Sequence, residues 1–194
     1  GAFSYTATDT RSGVSYLQYK TRGSSSWTTY SSGTTISASA TNGLYQFRAV
    51  DNAGNTSAVS SIYLDTAIPT GRITDSNGTT VTTTTNKAFK YTASDGLSGI
   101  AYMQYKKPNS TVWETYAAGT LIQTTDTNGI YRFRAFDNAG NESETVMICL
   151  DTVKPTGTLY GGTSTVASGG KTNANYVKFA PSDSMSGIKS IYVQ

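Results

Sequence analysis

Two polar segments of this sequence carry side chains that could bind a cation. The segment YRFRAFDNAGNES (131–143) places Asp137, Asn138 and Asn141 close together, and YQFRAVDNAGNTS (45–57) repeats the pattern. Carboxylate and amide oxygens are ligands for Ca²⁺, which takes about six to eight of them. The same residue types also suit a hairpin turn, because Asp and Asn accept hydrogen bonds from nearby N–H groups and glycine tolerates a positive φ. Both interpretations stay open at this point, although the turn explains every residue without a ligand.

Both segments belong to longer repeats. SGVSYLQYK (12–20) recurs 86 residues later as SGIAYMQYK (98–106), and IYLDTAIPTG (62–71) recurs at the same offset as ICLDTVKPTG (148–157). Self-similarity at one fixed offset is typical of tandem domains.

The repeats predict three copies of one domain. The first covers residues 1–65 and lacks its first strand, and the second, over 66–151, is complete. The third, over 152–194, contains a two-residue insertion and represents the N-terminal half of a domain, with its first three strands.

The complete copy shows the period-two alternation of apolar residues that is typical of half-buried strands. Glycine, asparagine and proline separate these runs, and no run has helical periodicity. Seven short strands in a module of about 86 residues are typical of an antiparallel β-sandwich, so we predict an all-β protein built from such modules. The predicted strands cover residues 71–76, 87–94, 100–107, 111–116, 119–125, 129–137 and 143–151.

Comparison of the copies indicates which side of a strand faces the core. In the predicted strand 143–151, Ile148 matches Ile62 of the first copy, and both are predicted to point inward. Cys149 lies on the opposite side of the same strand and is predicted to be a surface thiol without a chemical role.

Composition excludes several classes of function. The chain has no histidine, which removes histidine-based catalysis and most catalytic zinc sites. Its one cysteine allows no internal disulfide, and its net charge of +3 is spread without a basic run. No apolar stretch approaches the roughly 20 residues of a membrane-spanning helix. We therefore predict no enzymatic activity, no nucleic-acid partner and no membrane span in this segment.

The strand motifs resemble a known family. YMQYKKPNSTVWETY (102–116) and NGIYRFRAFDNAGNES (128–143) resemble the core of fibronectin type III and bacterial Ig-like modules. LDTVKPTG (150–157) resembles the linker between tandem bacterial Ig-like repeats of large secreted and cell-wall proteins. The resemblance implies an Ig-like or fibronectin type III-like sandwich, a structural role for Tyr45 and Tyr131, and no catalytic residues. The lack of disulfides favours a Gram-positive bacterial surface.

The predicted topology brings candidate metal ligands together at the junction between two copies. In such a sandwich, the loops that follow strands 87–94 and 129–137 lie at the end that receives the incoming linker. Oxygens converging there could hold a structural calcium ion, and no other cofactor is expected. Asp151 is predicted to meet Asp183 in the same way. The candidate calcium ligands are Asp65, Asp95, Asp137, Asn138 and Asn141.

One outer sheet face carries aromatic and basic side chains. Flat aromatic surfaces can bind sugars, but aromatic and Arg side chains also cover a sheet without a ligand, at about 0.5–1 kcal/mol per cation–π pair. The candidate ligand-face residues are Tyr102, Trp113, Tyr116, Arg132 and Arg134.

These observations predict a non-catalytic spacer or stalk of a large secreted or cell-surface protein, which presents another domain and contacts neighbouring repeats of its own chain. Short linkers that contain proline restrict motion between copies. The alternative is a carbohydrate-binding or adhesive module, accessory to a secreted glycosidase or an adhesin, with carbohydrate or a surface protein as its partner. Both functions place the chain outside the cell.

Overall fold

The computed structural model describes residues 1–192, which form strands, turns and loops. No helix occurs in that range, and therefore none that could cross a membrane. The predicted all-β class is confirmed.

The strands are short and follow the alternating runs of the sequence. Within the described residues they are β1 (Val14–Thr21), β2 (Thr28–Tyr30), β3 (Gly43–Asp51), β4 (Ser60–Leu64), β5 (Thr70–Asp75), β6 (Thr84–Thr85), β7 (Phe89–Ser94), β8 (Ile100–Lys106), β9 (Glu114–Tyr116), β10 (Gly129–Asp137), β11 (Val146–Leu150), β12 (Thr156–Gly161), β13 (Ser164–Val166) and β14 (Val177–Ser182).

The chain divides into two compact units. One unit comprises Gly1–Thr70, Ala93–Met103 and Ala135–Glu144, and the other comprises Gly71–Thr92, Gln104–Arg134 and Thr145–Gln194. The domain boundaries that follow residues 65 and 151 stay a prediction.

The first sheet has the order β2-β1-β3-β4, and all of its pairs are antiparallel. Leu17 lies opposite Tyr30 on one side and Ala49 on the other, so alternate residues of three strands share one apolar face. Phe47 and Leu64 belong to the same buried cluster. The core therefore sits on the face that period-two alternation predicts.

Ile62 lies on the same side of its sheet as Tyr45, the buried residue opposite it, so its predicted direction is right, but the core does not cover it. Its side chain is 42% exposed, whereas the matching Ile148 is 1% exposed. The difference follows from position in the sheet, because β4 is an edge strand whereas β11 lies between β10 and β6.

A second sheet has the order β6-β11-β10-β8-β9, and β5 pairs separately with β7. The prediction of antiparallel pairing is wrong for one pair in this sheet, because β6 runs parallel to β11. The predicted strand over 119–125 was also wrong. Only an isolated bridge between Ile122 and Phe89 forms there, and the N–H of Gln123 donates a hydrogen bond to the Asp126 carboxylate.

Antiparallel pairing joins the three strands of the third sheet, whose order is β13-β12-β14. Two of these, β12 and β14, match the first two predicted strands of the third copy. Residues 188–192, which match the start of β8, form no strand. The end of that predicted strand, Val193 and Gln194, lies outside the described residues.

Candidate functional site

The loop after β7 is organised by the Asp95 carboxylate. Its Oδ1 accepts hydrogen bonds from the N–H groups of Leu97 (3.0 Å), Ser98 (2.9 Å) and Gly99 (2.9 Å). Burial acts to raise the pKa of Asp95, but the N–H donors of Gly99, Leu97 and Ser98 together outweigh it and hold the pKa below its usual value. The carboxylate is therefore charged at neutral pH.

The DNAGN segment forms the hairpin turn between β10 and β11. Oδ1 of Asp137 accepts hydrogen bonds from the N–H groups of Ala139 (2.9 Å) and Asn141 (2.8 Å), and Gly140 has a φ of 91°. The turn interpretation is confirmed, because N–H groups of the segment itself satisfy the Asp137 carboxylate.

Asn138 joins the two loops. Its N–H donates to the carbonyl of Gly99 (3.0 Å), and its Nδ2 donates to the carbonyl of Ser98 (2.7 Å). Both loops are thereby held at one end of the strands, as the predicted topology requires.

The carboxylate of Asp65, which follows β4, reaches the same place. Its Oδ2 accepts a hydrogen bond from the N–H of Ser98 (3.0 Å), and its Oδ1 accepts one from Ala67 (3.0 Å). The backbone carbonyl of Asp65 accepts from Nδ2 of Asn141 (3.1 Å), a side chain that also donates to Asp137 (2.8 Å). The segment after β4 is thus fastened to both loops by side chains.

Three carboxylates meet in this arrangement. Asp65, Asp95 and Asp137 each bring one oxygen into a group whose members lie within 4.8 Å of one another. Asp65 and Asp137 are each only 2% exposed. Like charges this close repel one another, and backbone N–H donors offset that repulsion. No Lys or Arg side chain forms an ion pair with them within residues 1–192. The geometry is one that a hard divalent cation could occupy.

A similar arrangement occurs after β11. The N–H of Ser186 lies 3.1 Å from Oδ2 of Asp151 and 2.8 Å from Oδ1 of Asp183, so one donor links both carboxylates. The N–H of Gly187 donates to Asp183 as well (2.8 Å). The predicted meeting of Asp151 with Asp183 is therefore observed.

The candidate ligand face is only partly a free surface. Tyr102 is 48% exposed and stacks on Phe136 with a centroid distance of 4.7 Å. The half-buried ring of Trp113 carries the guanidinium of Arg134 at 4.2 Å and the ammonium of Lys106 at 4.9 Å. Nε of Arg134 also donates to the side chain of Gln104 (3.0 Å). Arg132 lies on the same strand as Arg134 and is half-buried.

Tyr116 does not belong to this face, and its assignment there was wrong. The side chain is 3% exposed. Its hydroxyl accepts a hydrogen bond from the N–H of Tyr91 (3.0 Å) and donates to the carbonyl of Thr120. Alternation along the short strand β9 turns Tyr116 towards the core, where its ring meets Phe133 edge-on.

Cys149 is half-buried rather than on the surface. Its N–H donates to the carbonyl of Thr83, because β11 is covered on that edge by the chain around β6. Burial, followed by the charges of Asp151 and Asp183, raises the pKa of the thiol. A raised pKa keeps the group protonated and makes it a poor nucleophile at neutral pH.

Sequence reasoning missed two asparagines that hold the segments after β4 and β11. Oδ1 of Asn42 accepts from the N–H (3.2 Å) and hydroxyl (3.1 Å) of Thr66. Oδ1 of Asn128 accepts from the same groups of Thr152 at 3.0 and 3.1 Å. Each precedes a glycine in the sequence, where asparagine and glycine indicate only a break between strands. The recurrence of this Asn-Gly pair at the repeat offset, together with the Asp-Thr pair, is the signal that could have revealed the contact.

Comparisons with known proteins assign no family to this chain. No family model matches it, and no curated protein matches it. Among solved structures, the fibronectin(III)-like modules of CbhA from Clostridium thermocellum align over 74% of this chain and 80% of that chain, with 16% identity and a TM-score of 0.36. The fold and site described above therefore rest on the contacts of this chain itself.

Proposed function

We propose that this chain is a non-catalytic spacer of a large secreted or cell-surface protein. The observation that carries the proposal is the attachment of the segment after β4 to the loops around it. The Asp65 carboxylate accepts a hydrogen bond from the N–H of Ser98, and the Asp65 carbonyl accepts one from the side chain of Asn141. The N–H of Thr66 donates to the side chain of Asn42. A linker bonded at consecutive residues loses the freedom that a flexible tether needs.

Several features support the rest of this proposal. Pro69 fixes its own φ and favours an extended residue before it, so the segment that follows Asp65 is stiff as well as bonded. The chain has no histidine to act as a general base. Its partners would be neighbouring repeats of the same protein, and the spacer would present another domain away from a surface.

The stiffness of the chain is tested by measuring how widely the distance between two labelled residues varies. In a Cys149→Ser background, spin labels at the exposed positions Thr28→Cys and Thr115→Cys report a distance distribution by double electron–electron resonance. The spacer predicts a narrow distribution that broadens with Asp65→Ala. Asp126→Ala, at an exposed carboxylate whose bond to Gln123 is local, is the control and should leave the width unchanged. A broad distribution in the parent chain would contradict the spacer.

A structural calcium ion at the cluster of Asp65, Asp95 and Asp137, with Asn138 and Asn141 beside it, is a second part of the proposal. Two of the three carboxylates are almost fully buried and lack a cationic side chain among the described residues. A divalent ion would remove the repulsion between them and stabilise the folded state only.

Calcium binding is measured by thermal unfolding. At a calcium concentration about a hundredfold above the dissociation constant, the unfolding temperature should rise by about 5–10 °C relative to chelator. Asp137→Asn should abolish most of this difference, whereas Asp126→Asn should retain it. Identical melting curves with calcium and with chelator would show that hydrogen bonds alone hold the cluster.

The alternative function is a carbohydrate-binding or adhesive module. The exposed stack of Tyr102 on Phe136 is the observation that favours it, since a flat aromatic pair can pack against a sugar ring. The burial of Tyr116 and the cations over Trp113 leave that surface smaller than the sequence predicts. A glycan panel screened with the chain and with Tyr102→Ala distinguishes the two functions, because a spacer gives no signal that depends on Tyr102.

A further inference from the structure

The third sheet exposes apolar side chains at positions that the preceding copy buries. Phe89 and Tyr91 on β7 are both 0% exposed, and the ring of Tyr91 stacks on Phe133 of β10 at 5.1 Å. Val177 and Phe179 occupy the matching positions of β14 and are 64% and 50% exposed. The face of β14 therefore has the side chains of a core strand without the strand that packs on it in the preceding copy.

A cavity of about 400 Å³ continues this apolar face. Its lining includes Phe179 and Pro181 of β14 together with Ile188, Ile191 and Tyr192. Exposed apolar surface of this kind marks a place where another element packs.

A polar groove of about 560 Å³ lies at the loop of residues 183–187, which follows β14. Its lining includes Asp151, Asp183, Ser186 and Gly187. No hydrogen-bond donor of residues 1–192 reaches the backbone carbonyls of Asp151, Ser186 or Gly187. Three residues that line the groove therefore have backbone carbonyls with no donor among residues 1–192.

The preceding copy shows what such acceptors hold. The carbonyls of Ser98 and Gly99 receive the N–H and side-chain amide of Asn138, and the carbonyl of Asp65 receives the side-chain amide of Asn141. Both donors belong to the Asp-Asn-Ala-Gly-Asn turn. The acceptors of the groove thus match, atom for atom, those that bind a turn of this sequence.

Residues 188–192 are a third sign that a strand could pack on this surface. Their counterparts in β8 pair with β10 on one edge and with β9 on the other. Residues 188–192 form no strand, although Ile191 and Tyr192 have high β-propensity. An extended segment becomes a stable strand only when a neighbour satisfies its backbone groups.

We propose that the surface formed by β14, the 183–187 loop and residues 188–192 binds a β-hairpin. The first strand of the hairpin would carry aromatic residues at alternate positions and pair with residues 188–192. Its turn would read Asp-Asn-x-Gly-Asn and donate its amide groups to the carbonyls of Asp151, Ser186 and Gly187. Binding by strand addition uses backbone hydrogen bonds for affinity and alternate side chains for specificity.

The probe is a synthetic peptide with the sequence of residues 126–151, with Cys149→Ser to prevent oxidation, labelled for fluorescence anisotropy. Titration with the full chain should give saturable binding. Phe179→Asp should weaken it at least about tenfold, since it places a charge at the apolar contact. Lys178→Asp, at the neighbouring exposed position on the opposite side of β14, is the matched control and should keep the affinity within about twofold.

Hydrogen exchange locates the peptide, because the chain contains the same hairpin within its own fold. Bound peptide should slow exchange at residues 188–192 and at the 183–187 loop. Absence of saturable binding, equal binding by the Phe179→Asp chain, or protection elsewhere would overturn the proposal. Sedimentation of the chain alone tests a different occupant, since self-association abolished by Phe179→Asp would assign the surface to a second copy and overturn the hairpin.

Discussion

The hydroxyl group of Tyr116 makes two hydrogen bonds in a core that is otherwise mostly apolar. It accepts a hydrogen bond from the N–H of Tyr91 and donates one to the carbonyl of Thr120 in the following turn. A buried N–H without an acceptor loses the hydrogen bonds that water would provide in the unfolded chain. One side chain therefore connects strand β7 to the loop after β9.

Replacing this tyrosine tests that interpretation. Tyr116→Phe should lower the free energy of unfolding by about 1–3 kcal/mol, because the buried N–H of Tyr91 loses this hydrogen bond. Denaturant unfolding gives the value, and Tyr102→Phe, at an exposed ring, should change it by much less. Equal effects of the two substitutions would mean that the Tyr116 hydroxyl contributes nothing beyond its ring.

The lowered pKa of Asp95 predicts how the free energy of unfolding depends on pH. Its pKa in the folded chain lies below its usual value of 3.8, because backbone N–H donors outweigh the effect of burial. A carboxylate with a lowered folded pKa stabilises the folded state above the unfolded pKa, and that stability is lost as the pH falls through the folded pKa.

Acid unfolding of the parent chain and of Asp95→Asn measures this contribution. Below about pH 4, the free energy of unfolding should fall less steeply in the variant, because one proton-linked group is absent. An unchanged slope in Asp95→Asn would contradict the assignment of acid sensitivity to this loop.

Among the elements, the turn that starts β10 depends on a glycine more strictly than its counterpart at β3. Gly129 has a φ of 132° and Gly43 a φ of 145°, so both occupy backbone conformations that L-residues rarely adopt. A Cβ at Gly129 would lie 2.8 Å from Cβ of Pro108, whereas nothing lies within 4 Å of a Cβ at Gly43. The two positions share the strain and differ only in the contact.

Alanine at each position separates these two costs. Gly43→Ala should destabilise the chain by about 1–2 kcal/mol through backbone conformation alone. Gly129→Ala should cost about 1–3 kcal/mol more, because the contact with Pro108 adds overpacking. Denaturant unfolding of both variants checks this, and equal losses would show that the loop at Pro108 moves away freely.

Period-two alternation identified most strands but not all of their pairings. The pattern over 119–125 satisfies the rule, yet only Ile122 forms a bridge, because Gly119 has a φ of 81° and Gln123 enters a turn with Asp126. Strand β6 escaped prediction because two threonines carry no alternation, and its parallel pairing with β11 comes from a long connection. A pattern of apolar residues predicts which side is buried but does not specify a partner strand.

For the molecule as a whole, the sequence by itself determined the all-β class, most strands of residues 66–151 and the hairpin at Asp137. These depend on neighbours in the sequence. Alternation buries one side of a strand, and Gly140 and the Asp137 carboxylate form their turn within five residues.

Only the tertiary structure decided which side chains are available at a surface. It exposes Ile62 because β4 is an edge strand, buries Tyr116 because β9 turns it inward, and places Asn42 and Asn128 against Thr66 and Thr152. Each of these depends on contacts between segments tens of residues apart. Such contacts form only when loops close against the entropy of the chain, and no local pattern encodes them.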